Sequence, residues 1–207
     1  MYARTLPRND YSRAEYQQML ERSEEKLEYH GGKILSMAGA KGPHNRIVMD
    51  LTGRLYDNPK SCEPHGSNQA LSLPAYDKYI FPDLMFVCEE SGNVYEDEAK
   101  LFLTNPCLII EVLSKNTAEY DRTAKFAMYR SLPSFQEYVL VDSRKMQVES
   151  FCREDSKGWI IQNLWRAEQE LTFHTLGATL SLEEIYRRTT LQPVQNMGEL
   201  TAWIEEE

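Results

Sequence analysis

The chain has 207 residues, and its 32 Asp and Glu outnumber 23 Lys and Arg to give a net charge of −9. That field repels polyanions, which weighs against a non-specific coat on nucleic acid and requires any phosphate contact to come from a local basic patch. A hydrophobic content of 42%, with no break in composition, is enough for one well-buried domain, which we place at residues 1–188 with a helical appendage at 189–207.

Ser12 followed by Glu15 forms a capping box, and Tyr16, Met19, Leu20 and Leu27 continue at helical spacing, which predicts a helix to about residue 24. KLEYHGGKILSM reads as a hairpin turning at Gly31 and Gly32, since consecutive glycines supply the positive φ angles of a tight turn, and Glu28 falls on its first strand. Gly42-Pro43 breaks the chain, His44 follows, and Ile47, Val48, Leu51 and Leu55 give a second helix that stops before Asn58-Pro59. Short strands are expected in CEPHGS, QALSL and FPDLMFVC, then a polar, acidic loop over 89–105 with room for a helical turn. CLIIEVL is a strand, Thr117 caps a helix of about 14 residues stopped by Pro133, and QEYVLVD is the next strand. Strand, helix, strand is the signature of a parallel pair. KMQVESFC, GWIIQNLW and ATLSL suggest antiparallel additions, LEEIYRR a short helix, and Val194, Met197, Leu200 and Ile204 an apolar stripe in the appendage.

No apolar run approaches the ~18 residues of a membrane helix, and MYARTLPRNDYS lacks the apolar core of a signal peptide, so a cytoplasmic protein without a membrane partner is expected. Cys62, Cys88, Cys107 and Cys152 have no CxxC spacing, and two lie in expected buried strands, which argues for plain thiols over a zinc site or disulfides. His30, His65 and His174 have no spacing that suggests a metal site.

Two acids interrupt apolar strands. Asp83 follows Pro82 at the start of one, and Glu111 sits in the middle of another that is apolar on both faces. Alternation places Cys107, Ile109, Glu111 and Leu113 on one face and Leu108, Ile110 and Val112 on the other. A carboxylate buried without a partner costs several kcal/mol, so such an acid calls for a cation, a proton or a hydrogen bond. On the following helix, at about 100° per residue, Asp121 and Lys125 fall within an apolar arc of Ala118, Met128, Tyr129 and Leu132. A crossover helix packs on the sheet it leaves, which brings the Lys125 ammonium within reach of Glu111. Two acids and a lysine in one pocket can bind Mg²⁺ and activate water against a phosphodiester.

YIFPDLMFV, LIIEVLSKNTAEYDRTAKFAMYR and EYVLVDSRKMQV together resemble the Uma-type restriction-endonuclease family, a branch of the PD-(D/E)xK nuclease superfamily. The resemblance runs from roughly residue 10 to 187 and takes in the KLEYHGGKI hairpin and the GPHN segment. It implies an α/β (α+β mixed) restriction-endonuclease-like core, a mixed central sheet flanked by helices with added antiparallel strands, and an acidic site for Mg²⁺ (or Mn²⁺). Asp83 matches the acid of the PD element and Glu111 the second acid. Leu113 stands where the superfamily expects lysine, and Lys125 matches the position that replaces it in this family. Glu28 matches a further acid, His44 another family position. The implied chemistry has Asp83 and Glu111 hold the metal with Glu28 and a backbone carbonyl near Val112, while Lys125 orients or deprotonates the water. Asp121 and His44 would support the site, and Lys115, Arg122 and Arg130 would meet phosphates of a DNA substrate. The resemblance also implies a homodimer.

The residues admit plainer readings. Taken alone, Asp83 is more often a turn acid after proline, and Glu28 an exposed strand acid opposite Lys33. Asp121 and Lys125 have the spacing of an ordinary helical ion pair worth about 0.3–0.5 kcal/mol, and on spacing alone this fits as well as a site lysine. Beside the DNA endonuclease stand a weak or inactive nuclease-fold module for binding or assembly, favoured by the acidic charge, and an RNA-directed hydrolase.

Overall fold

In a computed structural model, residues 2–37, 39, 42–88 and 92–193 are described. The expected stripe at Val194, Met197, Leu200 and Ile204, and with it most of the appendage, lies outside them.

Two mixed six-stranded sheets meet at a short turn. The first has the order β1 (Tyr2–Thr5), β3 (Lys33–Met37), β2 (Leu27–His30), β6 (Lys78–Ile80), β5 (Ala70–Leu73), β8 (Phe102–Leu103). The second runs β12 (Gly158–Leu164), β11 (Val148–Glu154), β10 (Glu137–Asp142), β9 (Leu108–Leu113), β7 (Leu84–Val87), β4 (Glu63–Gly66). Phe81, Pro82 and Asp83 carry the chain from β6 in one sheet to β7 in the other. Each sheet has one parallel pair, β5 with β8 and β9 with β10, and is otherwise antiparallel. A separate ribbon pairs β13 (Glu170–Phe173) with β14 (Ala178–Ser181). The expected mixed α/β class is what the chain adopts.

The sequence explains most elements directly. Ser12 and Glu15 form the reciprocal capping box of α1 (Arg13–Arg22), which ends before the expected residue 24 and leaves Leu27 to β2. Gly31 and Gly32 take φ of 53° and 90° in the hairpin, and a Cβ on Gly32 would stand 2.7 Å from the Asn9 carbonyl oxygen. Gly42 and Pro43 open α2 (Gly42–Leu55) instead of breaking the chain ahead of it, because the first turn of a helix tolerates a missing N–H. Among the described residues of the 89–105 loop the Lys100 amide closes a turn on the Asp97 carbonyl at 3.2 Å, and β8 and a bridge from Tyr95 to Leu103 are added to the expected loop.

All six residues of β9 are buried. Leu108, Ile110 and Val112 pack with Ile47, Leu51 and Leu55 of α2, while Ile109 and Leu113 pack with Met128, Tyr129 and Leu132 of the crossover helix. Cys107 joins the α2 side, against expectation, because it precedes the strand and escapes its alternation. Burying each such Leu or Ile stabilises by about 1.5–3 kcal/mol, which fixes the crossover helix over the face that carries Glu111.

That helix is not uniform. α3 (Ala118–Tyr120) and α4 (Phe126–Tyr129) flank a π-helical turn, Asp121–Lys125. Thr117 is not the side-chain cap expected; its hydroxyl turns back to the Ser114 amide and hydroxyl. After β10, α5 (Leu182–Tyr186) closes the fold with a second capping box, Ser181 and Glu184. No helix among the described residues is long and apolar enough to cross a membrane.

The expectation of plain thiols is overturned for two cysteines: Cys62 and Cys88 form a disulfide, and Cys107 and Cys152 are free. Cys62 precedes β4 and Cys88 follows β7, and the antiparallel register that pairs Glu63 with Val87 brings them together from distant parts of the sequence.

Candidate active site

The junction of the two sheets gathers the acids. β7 and β9 are antiparallel with Leu84 opposite Ile110, and one step further along the register sets Asp83 opposite Glu111. Their backbones lock the pair: the Val112 amide donates to Asp83 Oδ2 at 2.8 Å, and the Asp83 amide faces Glu111 Oε2 at 3.3 Å. His44, in the first turn of α2, brings Nε2 to 3.1 Å from the same Asp83 Oδ2.

From the other side the π turn delivers a cation. Lys125 Nζ donates to Glu111 Oε1 at 2.9 Å and stands 2.9 Å from Asp121 Oδ1. Tyr129, one turn on, donates its phenol to Glu111 Oε1 at 2.6 Å. These side chains are buried, whereas Asp83 and His44 keep 19% and 14% of their side-chain surface, so the cluster opens on the Asp83 side.

Glu28 reaches the same junction from the first sheet. Its Oε1 accepts from the Phe81 amide at 3.1 Å, two residues before Asp83, and its Oε2 lies 2.9 Å from His30 Nε2. It is buried, not the exposed acid facing Lys33 that the hairpin alone suggests.

The electrostatics are lopsided. Burial pushes the Glu111 carboxyl up to about 8; Lys125 opposes this, but the charges of Asp121 and Asp83 add to it. Burial works against Lys125 too, yet Glu111 and Asp121 hold its ammonium well above the ordinary lysine value. For Asp83, burial is outweighed by the His44 bond, the Lys125 charge and the Val112 amide, so its carboxyl titrates below the usual range. Glu28 is likewise lowered: burial is overcome chiefly by the His30 bond and the Lys125 charge.

Two acids, Glu111 and Asp121, thus contact the one lysine, whose charge also acts on Asp83 and Glu28. Hard oxygen donors with excess negative charge suit Mg²⁺ or Mn²⁺, and by composition the site fits such an ion. Its present arrangement spends Glu111 Oε1 on Lys125 and Tyr129, and among the described residues no three of its carboxylate or imidazole donor atoms lie within 4.8 Å of one another.

Of the residues singled out in the sequence, Asp83, Glu111, Lys125, Asp121 and His44 are linked by direct contacts, with the Val112 amide, and Glu28 joins through Phe81. Arg122 is committed elsewhere, bonded to Glu149 through Nε and Nη2 at 2.8 and 2.6 Å. Lys115 is exposed just past β9, and the Arg130 guanidinium lies over the Phe126 ring. Two residues of the network escaped the sequence reading. Tyr129 counted only as part of an apolar arc, although a phenol four residues after Lys125 shares its helix face. His30 was set aside, although two positions from Glu28 on a strand it projects to the same side.

The family described as "Uma2: Putative restriction endonuclease" matches residues 13–189. An uncharacterized protein of Synechocystis sp., sll1609, is 34% identical over 162 residues, covering 77% of this chain and 90% of that protein. A second from the same organism, slr1290, is 31% identical over 175 residues, 84% of this chain and 90% of its own length. The crystal structure of a "putative nuclease belonging to DUF820" from Anabaena variabilis ATCC 29413 shares the fold with a TM-score of 0.64 at 17% identity, over 80% of this chain and 92% of that one. The resemblance read from the PD turn, the acid of β9 and the crossover lysine therefore holds along nearly the whole described chain, which belongs to the Uma2 family of putative restriction endonucleases.

Proposed function

We propose that the chain is a Mg²⁺- or Mn²⁺-dependent endonuclease that hydrolyses phosphodiester bonds of DNA, with Asp83, Glu111 and Lys125 as its catalytic residues. What carries this reading is the pairing of Asp83 with Glu111 across β7 and β9, beneath a buried lysine that comes from the next helix.

Asp83, Glu111 and the Val112 carbonyl would hold the ion, with Glu28 completing the acidic surround. When bound, the cation supplies Lewis-acid activation of water and of a phosphoryl oxygen. Lys125, kept protonated by Glu111 and Asp121, orients the water and offsets charge growing on the phosphate. Tyr129 and His44 fix the carboxylate oxygens of Glu111 and Asp83. Lys115 and Arg130 are exposed and available to phosphates, whereas Arg122 must first leave Glu149.

The test is cleavage of supercoiled and linear duplex DNA at low salt with Mn²⁺ or Mg²⁺, by the wild type beside Asp83→Ala and Lys125→Met purified identically. Cleavage that needs the metal and vanishes in both variants is the expected result. Cleavage surviving in Asp83→Ala overturns the assignment. RNA cut in place of DNA with the same residue dependence changes the substrate and keeps the chemistry. The net charge of −9 and the engaged Arg122 favour a second reading, a binding module without cleavage; under it no nucleic acid is cut. A homodimer, which would let two sites address two strands, is read from light scattering on the eluted protein.

A further inference from the structure

Three sulfurs meet at the far end of β7 from Asp83. Cys62 and Cys88 form the disulfide, and Cys107 Sγ stands 2.9 Å from Cys88 Sγ. All three sulfur atoms lie within 4.8 Å of one another. Cys62 and Cys107 are buried in the core beside α2, and Cys88 is the partly exposed member. The placement follows from the strands: Cys62 leads into β4, Cys88 follows β7, and Cys107 leads into β9 with its amide bonded to the Phe86 carbonyl at 2.9 Å. The fourth cysteine, Cys152, is on β11 and takes no part in this group.

We propose that Cys62, Cys88 and Cys107 form a thiol–disulfide exchange centre in which Cys107 takes over the bond to Cys88. The Cys107 thiol loses its proton and its sulfur attacks Cys88 Sγ. A Cys88–Cys107 bond forms, the Cys62–Cys88 bond breaks, and Cys62 leaves with the electron pair and takes up a proton. No oxidant or reductant is consumed. The covalent link thereby moves from the edge pair, β4 with β7, to the pair β7 with β9.

Three sulfurs also suit a thiophilic cation such as Zn²⁺, but the surroundings disfavour three thiolates. Burial pushes the Cys107 thiol up to about 11, and the charge of Glu137 adds to this against its bonds from neighbouring amides. Among the described residues no Lys or Arg lies among the three sulfurs' hydrogen-bond partners, where the Thr175 carbonyl oxygen instead stands 3.7 and 3.8 Å from Cys62 and Cys88. A protonated Cys107 makes the exchange slow at neutral pH and faster as pH rises. The inference does not depend on the nuclease reading.

The experiment maps disulfides in the full chain by acid quench, alkylation with iodoacetamide, digestion and mass spectrometry. Wild type held at pH 9 is expected to yield both Cys62–Cys88 and Cys88–Cys107 linkages, and Cys107→Ser only the first. Cys62→Ser, mildly oxidised with diamide, is expected to form Cys88–Cys107. Wild type that shows Cys62–Cys88 alone after prolonged incubation at pH 9 would overturn the proposal without reliance on any variant. So would Cys88 and Cys107 remaining alkylatable in folded Cys62→Ser under oxidation that closes the wild-type bond, or one equivalent of zinc on three reduced cysteines in the purified protein.

Discussion

Replacing Lys125 with methionine keeps the hydrocarbon stem that fills the space under the crossover helix and removes the charge. In the wild type Nζ stands 2.9 Å from both Glu111 Oε1 and Asp121 Oδ1, with all three side chains at most 10% exposed. Breaking a buried ion pair by deleting one partner costs about 3–5 kcal/mol when the remaining acids stay charged. Protonation of Glu111 relieves part of that cost, so the loss depends on pH. Glu111 binds its proton more tightly folded, at about 8, than its ordinary value of 4.5 allows unfolded. Its contribution to stability is therefore fully present below pH 4.5 and is lost as pH rises through 8, on the order of 5 kcal/mol in all. Without Lys125 the folded value moves further up, and the decline continues where the wild type levels off. We expect Lys125→Met to be less stable by about 3–5 kcal/mol at pH 9, where Glu111 and Asp121 have both lost their partner, and by less at pH 5.5, where Glu111 holds a proton and only Asp121 has lost it. Urea unfolding followed by circular dichroism at the two pH values measures both. A gap that stays constant or shrinks between pH 5.5 and pH 9 would refute the coupling of Lys125 to Glu111.

Three further outcomes follow from the same contacts. Mg²⁺ or Mn²⁺ has to displace the proton that burial leaves on Glu111, so either ion should raise the melting temperature more at pH 8.5 than at pH 6, and not at all in Asp83→Ala. Tyr129→Phe removes a 2.6 Å hydrogen bond to Glu111 from a fully buried site, and unfolding should report a loss of about 1.5–3 kcal/mol at pH 9, where Glu111 is charged. Glu137 is just as buried as Glu111, yet its oxygens accept from the His174 and Thr175 amides and the Thr175 hydroxyl at 3.0, 2.9 and 2.7 Å. Glu137→Gln should therefore cost about 1–3 kcal/mol in urea unfolding while the thermal response to Mn²⁺ stays that of the wild type.

Elements that announce themselves locally were legible. The Ser12 and Glu15 box, the Gly31-Gly32 turn, the doubly apolar β9 and the parallel β9 and β10 around a helix each follow from residues close together in the chain. β1, β6, β8 and β13 were not, being two to four residues long; β1, β6 and β8 are also held by partners elsewhere in the sequence. β8 has only Ala70 and Leu71 to pair with in the first sheet, a relation no local pattern encodes. The π turn left no mark either, since apolar spacing alone does not separate one π-helical turn from a regular helix. The disulfide was missed for a related reason: Cys62 and Cys88 meet only through the register of β4 on β7.

The rule that picked out Glu111, an acid within a buried strand, is less selective than it looks. Glu137 and Asp142 on the neighbouring β10 obey it equally, and neither was singled out. What separates the three is the kind of partner each has found. Glu137 is held by two amides and a hydroxyl of one turn, and Asp142 accepts from the Arg144 amide and guanidinium; these donors neutralise or solvate the carboxylate where it stands. Glu111 has the phenol of Tyr129 and a lysine it must share with Asp121, while Asp83 faces it across the strands. One ammonium among that many carboxyls cannot satisfy them all, and the remainder appears as the proton that burial keeps on Glu111 up to about pH 8. A proton held for lack of a cation is one that a divalent ion can replace, and this distinguishes the acid of β9 from its two neighbours on β10 in chemistry that the strand pattern alone does not carry.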